Sequence, residues 1–97
     1  MFARIASFEG GDDERLRQMN EERMSSGQMN TPAGMKSGMV LADRASGRRL
    51  FIALFEDEAS LKAAEPGFEA MGEEIPEDVR GRRTSVDVYE VVWQGDV

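Results

Sequence analysis

No cysteine and no histidine occur in the 97 residues of this chain. The first absence excludes disulfides, thiolate nucleophiles and zinc–thiolate sites. The second removes the commonest general base near neutral pH and the commonest metal ligand, and with them any serine–histidine pair or histidine-ligated haem. No cofactor is expected on these grounds: no haem, no flavin and no transition metal. Positive charge is also scarce, with 12 Lys and Arg against 19 Asp and Glu and a net charge of −7. Such a balance repels phosphate backbones and anionic bilayers, so no nucleic acid and no membrane is expected as a partner. No apolar run approaches the roughly 20 residues that cross a bilayer. Met1-Phe2-Ala3-Arg4 passes directly into a strand pattern without the shape of a signal peptide, which points to a cytoplasmic protein.

What remains is the composition of a folded domain: 40% hydrophobic and 32% charged residues. The chain reads as one domain over residues 1–97. Residues 2–8 alternate as a strand, with Phe2, Arg4, Ala6 and Phe8 on one face and Ala3, Ile5 and Ser7 on the other. After Gly10-Gly11, Asp12 or Asp13 caps a helix that runs to about Ser26 on a thin stripe of Leu16, Met19 and Met24. Gly27 to Gly34 is irregular. A second strand covers about Met35–Asp43, and Asp43 to Gly47 forms a hairpin loop with Gly47 free to take positive φ. In the third strand, Arg49–Phe55, both faces are apolar. Asp57 caps a second helix whose stripe is Leu61, Ala64, Phe68 and Met71, and Pro66 predicts a break or kink near Glu65. Arg80 to Arg83 reads as a polar turn before a fourth strand at Thr84–Gln94. There Val86, Val88 and Val92 share one face, and Tyr89, Val91 and Trp93 the other.

The order strand, helix, strand, strand, helix, strand predicts an α+β, ferredoxin-like βαββαβ fold. It is a four-stranded antiparallel sheet with two helices on one face. Two helices cover one side only, yet the third and fourth strands are apolar on both. An identical chain, packed sheet to sheet about a two-fold axis, is the economical cover, so a homodimer is expected.

Several segments recur in order and carry a resemblance. They are Ala3-Arg4 with Phe8-Glu9-Gly10, Pro32-Ala33-Gly34, Leu41 through Gly47, Phe55 through Ala59, and Val88-Tyr89-Glu90-Val91. Over nearly the whole chain they resemble the dimeric α/β-barrel superfamily, and within it small proteins related to antibiotic-biosynthesis monooxygenases. The resemblance implies a homodimer whose two sheets form a barrel, with a pocket between sheet and helices in each protomer. It implies relatives that include cofactor-independent oxygenases and haem-degrading enzymes. This chain lacks the histidine of the haem-degrading branch. It has Arg4 where oxygenase members often carry an asparagine on the first strand. The resemblance therefore carries over no catalytic residue.

Three side chains are candidates for lining a ligand pocket: Arg4, Tyr89 and Trp93. A guanidinium in mid-strand holds an anionic or phenolic ligand, or pairs with a carboxylate on another strand such as Asp87 or Glu90; the pair is the expectation. Tyr89 and Trp93 stack on a flat aromatic ligand, or fill a core or interface; burial of Trp93 by a partner chain is the expectation. The methionines match no soft-metal spacing and read as core filling. Glu73-Glu74 and Glu77-Asp78 read as a solvated charge run. Three functional classes stay open: a cofactor-independent monooxygenase-like enzyme acting on a planar phenolic substrate, a small-molecule-binding module for an aromatic or anionic ligand, and an accessory homodimer of uncharacterised activity. An open cavity lined by Arg4 favours the first two.

Overall fold

The computed structural model describes residues 1–26 and 31–96. Within them the chain forms β1 (Phe2–Glu9), α1 (Asp13–Ser26), β2 (Met35–Asp43), β3 (Arg48–Phe55), α2 (Glu58–Glu74), α3 (Glu77–Arg80) and β4 (Arg82–Glu90). The four strands make one sheet in the order β2-β3-β1-β4, every neighbouring pair antiparallel. This is the expected ferredoxin-like arrangement. Residues 27–30 of the expected irregular stretch lie outside the described part. No helix in the described residues is long and apolar enough to cross a membrane.

Local chemistry accounts for most boundaries. Asp12 Oδ1 accepts from the Arg15 backbone N–H at 3.1 Å, and Asp57 Oδ1 accepts from that of Ser60 at 2.7 Å, so a carboxylate satisfies a free amide at the start of each long helix. The hairpin between β2 and β3 closes through Gly47, whose N–H donates to the Asp43 carbonyl at 2.9 Å with φ at 74°.

The core lies between the sheet and α2. Phe55 and Ala53 of β3 pack against Leu61, Ala64 and Phe68 of α2, with Phe2, Met35, Phe51 and Met71 at the margin. Phe68 meets Phe51 and Phe55 edge to face, with ring centroids 6.1 Å and 6.0 Å away. Each such pair adds about 1 kcal/mol to the effect of burial. The expected α2 stripe is therefore the buried one.

Three expectations are corrected. First, α2 does not break near Glu65 but runs on through Pro66 to Glu74. Both Pro66 and Lys62 are exposed. Water can satisfy the carbonyl that the missing N–H leaves free, while burial of Leu61, Ala64 and Phe68 holds the helix on the sheet on both sides of the proline. Second, the polar turn at Arg80 to Arg83 is split. Glu77–Arg80 is one helical turn, Gly81 closes it with φ at 83°, and Arg82 and Arg83 already belong to β4. Third, β4 ends at Glu90 rather than Gln94. Glu90 pairs with Phe2 at the start of β1, and Val91 N–H reaches the Met1 carbonyl at 2.9 Å. Beyond that point β1 offers nothing more to pair with, so Val92 and Trp93 lie past the strand.

Among the described residues, no helix lies on the second face of the sheet. Rows across it read Ser37–Leu54–Ala3–Tyr89, Met39–Ile52–Ile5–Asp87 and Leu41–Leu50–Ser7–Ser85. Asp87 is the only charge in these rows. Met39, Leu41 and Tyr89 are 46%, 46% and 57% exposed, a broad apolar surface for a chain of this size.

Candidate ligand-binding site

α1 covers its part of the sheet poorly. Its polar residues surround a thin apolar edge, and none of its side chains is buried. Leu16 and Met19 are half-buried; Met24, expected on the same stripe, is 69% exposed. α1 leans on α3 rather than on the sheet, helped by an exposed Arg15–Asp78 ion pair at 3.3 Å. A cavity of about 410 Å³ is left between sheet and helices. That falls within the usual range for small-ligand sites, about 300–1,000 Å³.

Alternation along the strands decides what points into it. β1 contributes Arg4, Ala6 and Phe8; β3 contributes Arg49 and Phe51; β2 contributes Val40, which is the register partner of Phe51. Phe68 and Met71 of α2 form the apolar wall opposite, and Leu16 and Asn20 form the rim on α1. Polar groups also enter from Glu69, Glu73, Glu77, Arg80, Arg82 and Arg83.

Arg4 is 3% exposed. Its Nε donates to Glu65 Oε1 at 2.5 Å and its Nη2 to Oε2 at 3.3 Å, while its guanidinium carbon sits 4.5 Å from the centroid of the Phe68 ring. The fork of the guanidinium is thus used on a carboxylate and its flat face on an aromatic ring. The partner is Glu65 on α2, not Asp87 or Glu90. Asp87 lies on the open face, and Glu90 is paired with Phe2 two residues away along β1.

The other candidates lie elsewhere. Tyr89 is the register partner of Ala3 and stands on the face opposite the cavity. Trp93 is beyond β4 and 73% exposed in the isolated chain. Neither lines the cavity; Arg4 does.

Two arginines that the sequence did not single out complete the site. Arg49 is 5% exposed, pairs with Asp13 and donates through Nη1 to the carbonyls of Val79 and Arg80 at 3.2 and 3.1 Å. Its position two residues before Phe51 in a period-two strand was the available signal. Arg80 donates through Nε to the Ile75 carbonyl at 3.1 Å and through Nη1 to that of Gly81 at 3.1 Å. No sequence pattern marks Arg80, because its position depends on the one-turn α3.

Carboxylates balance much of this charge. Arg82 pairs with Glu9 at 3.0 Å and Arg83 with Glu69 at 2.7 Å. The hydrogen bond from Arg83 holds the Glu69 carboxyl below its ordinary value, so Glu69 is ionised at neutral pH. Among the described residues, no group of three acidic side chains is placed to hold a metal ion. The site offers hydrophobic and ring surfaces, fixed guanidinium donors and no nucleophile of the usual kinds.

No family model matches the chain, and no curated protein matches it in sequence. Solved structures do match in fold. An arginine-to-serine variant of MhuD, crystallised with two manganese protoporphyrin IX molecules per active site, superposes with a TM-score of 0.61 at 14% identity, each chain covered in full. A candidate antibiotic biosynthesis monooxygenase from Deinococcus radiodurans superposes with a TM-score of 0.60 at 13% identity, over 100% of this chain and 98% of that one. The ferredoxin-like protomer expected from the resemblance is the one observed.

Proposed function

We propose that this chain is a cytoplasmic homodimer that binds a planar aromatic small molecule in the cavity of each protomer. The observation that carries the reading is the 410 Å³ space walled by Phe8, Phe51 and Phe68 with the buried guanidinium of Arg4 among them. Ring faces and flat guanidinium planes are complementary to a flat ligand, and burial of its faces supplies most of the affinity. The MhuD variant holds a flat macrocycle in its active site, which supports the same reading. The apolar second face of the sheet supports self-association.

The test is calorimetric titration with quinols, flavonoid-like phenols and protoporphyrin IX, repeated on Leu16→Trp. That variant fills the rim of the cavity without touching the core. Saturable binding that weakens at least about ten-fold in Leu16→Trp is expected. Absence of binding throughout the panel, or binding indifferent to Leu16→Trp, overturns the reading.

The likeness to the Deinococcus protein supports a second reading, in which the bound ligand is oxygenated. A phenol and dioxygen have the atoms and electrons of a quinone and water, so the substrate itself is the reductant and no cofactor is required. Oxygen uptake in the presence of each ligand that binds distinguishes turnover from binding alone.

A further inference from the structure

Five guanidinium groups line the cavity, those of Arg4, Arg49, Arg80, Arg82 and Arg83. Four of them are already engaged by a carboxylate, in the pairs Arg4–Glu65, Arg49–Asp13, Arg82–Glu9 and Arg83–Glu69. Arg80 is different. Among the described residues it has no acidic partner, and its two hydrogen bonds go to the backbone carbonyls of Ile75 and Gly81. Those bonds hold the guanidinium in place without neutralising it. Its Nη2 donates to nothing among the described residues and is not shut away from solvent. Three carboxylates also line the cavity: Glu69, which Arg83 engages, and Glu73 and Glu77, neither within ion-pair distance of Arg80. A half-buried, positioned cation with no ion-pair partner among the described residues is a receptor for an anion.

We infer that Arg80 is the residue that recognises the ligand, and that the ligand is an aromatic carboxylate whose rings lie against Phe51 and Phe68. This rests on the cavity being the binding site. Arg4 does not fill the role, because an incoming carboxylate would have to displace Glu65 from both bonds of its fork. At Arg80 no ion pair has to be broken. The unused Nη2 offers the anion a charge-assisted hydrogen bond from a guanidinium that the Ile75 and Gly81 carbonyls already hold in place, an anchoring that a lysine would lack.

The test uses a hydroxynaphthoate and the naphthol with the same rings but no carboxylate, titrated into wild type, Arg80→Gln, Arg80→Lys and Arg4→Met. Wild type should prefer the hydroxynaphthoate by about ten-fold or more, the usual effect of a charge-assisted hydrogen bond. Arg80→Gln should bring the two affinities together by weakening the hydroxynaphthoate about ten-fold more than the naphthol. Arg80→Lys keeps the charge and loses the anchoring to both carbonyls, so it should retain part of the preference. It also serves as the second variant should Gln fail to fold. Arg4→Met should keep the full preference. A preference that survives Arg80→Gln, or that disappears in Arg4→Met instead, overturns the assignment while leaving the cavity as the binding site. A wild type that binds neither compound in a panel where phenols do bind refutes the carboxylate. A wild type that binds no aromatic compound refutes the site itself.

Discussion

Arg4 and Glu65 form a pair in which one partner is hidden and the other is not: the guanidinium side is 3% exposed and the carboxylate side 35%. The two halves are therefore not equivalent. Glu65→Ala leaves a cation buried against Phe68 with no counter-charge, whereas Arg4→Met leaves a carboxylate that can turn to water. The expected outcome is a loss of about 3 kcal/mol for Glu65→Ala and about 1 kcal/mol or less for Arg4→Met, read from urea midpoints. Equal losses would mean that contact with the Phe68 ring, not the carboxylate, holds Arg4.

Acid sensitivity follows from four carboxylates held below their ordinary values. Arg83 hydrogen-bonds Glu69, the Ser60 backbone amide bonds Asp57, the Ser46 side chain bonds Asp43, and Arg17 bonds Glu14. A group with a depressed folded pKa binds fewer protons in the fold than in the unfolded chain. Its contribution is complete above the ordinary carboxylate range and is lost as pH falls through the lowered values. Stability should be level near neutrality and fall from roughly pH 5 downward. Glu69→Gln should flatten that fall, as followed by melting temperature at successive pH values. An unchanged slope would show that Glu69 does not contribute to it.

Pro66 is a defect that the helix tolerates. It removes one backbone hydrogen bond inside α2, and the side chain is exposed and packs on nothing essential. Pro66→Ala should restore the bond to the Lys62 carbonyl and raise stability by about 1–2 kcal/mol. That is the helix-interior difference less the entropy that proline removes from the unfolded chain. A lower urea midpoint in the variant would show that α2 depends on the proline.

Local pattern carried the strands and the α2 stripe well, because periods of two and 3.6 are written in adjacent residues. It placed Arg4 on the same face as Phe2 and Phe8, which is the cavity side. It could not say which carboxylate Arg4 meets, since Glu65 is 61 positions away and reaches it only through the docking of α2 on the sheet. The four-residue α3 is too short to show a period, and so Arg80 was read as part of a turn. Tyr89 and Trp93 share a parity that would place them together in a longer strand. The end of β1 cuts β4 at Glu90 and separates them.

The open sheet face should hold two protomers together through β3, its central apolar strand. Ile52 is half-buried and lies between Met39 and Ile5. Ile52→Asp places a second carboxylate in a row that already ends at Asp87. Sedimentation equilibrium should give a dimer for wild type at micromolar concentration and a monomer for the variant. Trp93, 73% exposed in the isolated chain, reports on the same event. Its emission should lie further to the blue in wild type than in Ile52→Asp. A wild type of one-chain mass would remove the dimer from the proposal.

Arg49 joins three parts of the chain at one point. Its guanidinium meets Asp13 at the start of α1 and the carbonyls of Val79 and Arg80 in α3, while Asp12 N–H donates to the same Val79 carbonyl at 2.9 Å. The surrounding backbone is tight. A Cβ on Gly81, at φ +83°, would stand 2.8 Å from the carbonyl oxygens of Glu9 and Gly10, and one on Gly11 would stand 2.6 Å from Arg49 Nη1. Gly81→Ala therefore meets both a left-handed backbone and a backbone clash that no side-chain rotation relieves, and should cost about 2 kcal/mol or more. Arg49→Met removes the tie without adding bulk. Asp13 is 32% exposed and can hydrate, and the Val79 carbonyl keeps Asp12 N–H, but the Arg80 carbonyl loses the Arg49 donor, so a loss of about 1–2 kcal/mol is expected. The two changes strike the same junction, and the double variant should fall short of the sum of the single losses. Strict additivity in urea denaturation would show that Arg49 and Gly81 stabilise the fold independently, and that α1 and α3 are not fastened at a common point.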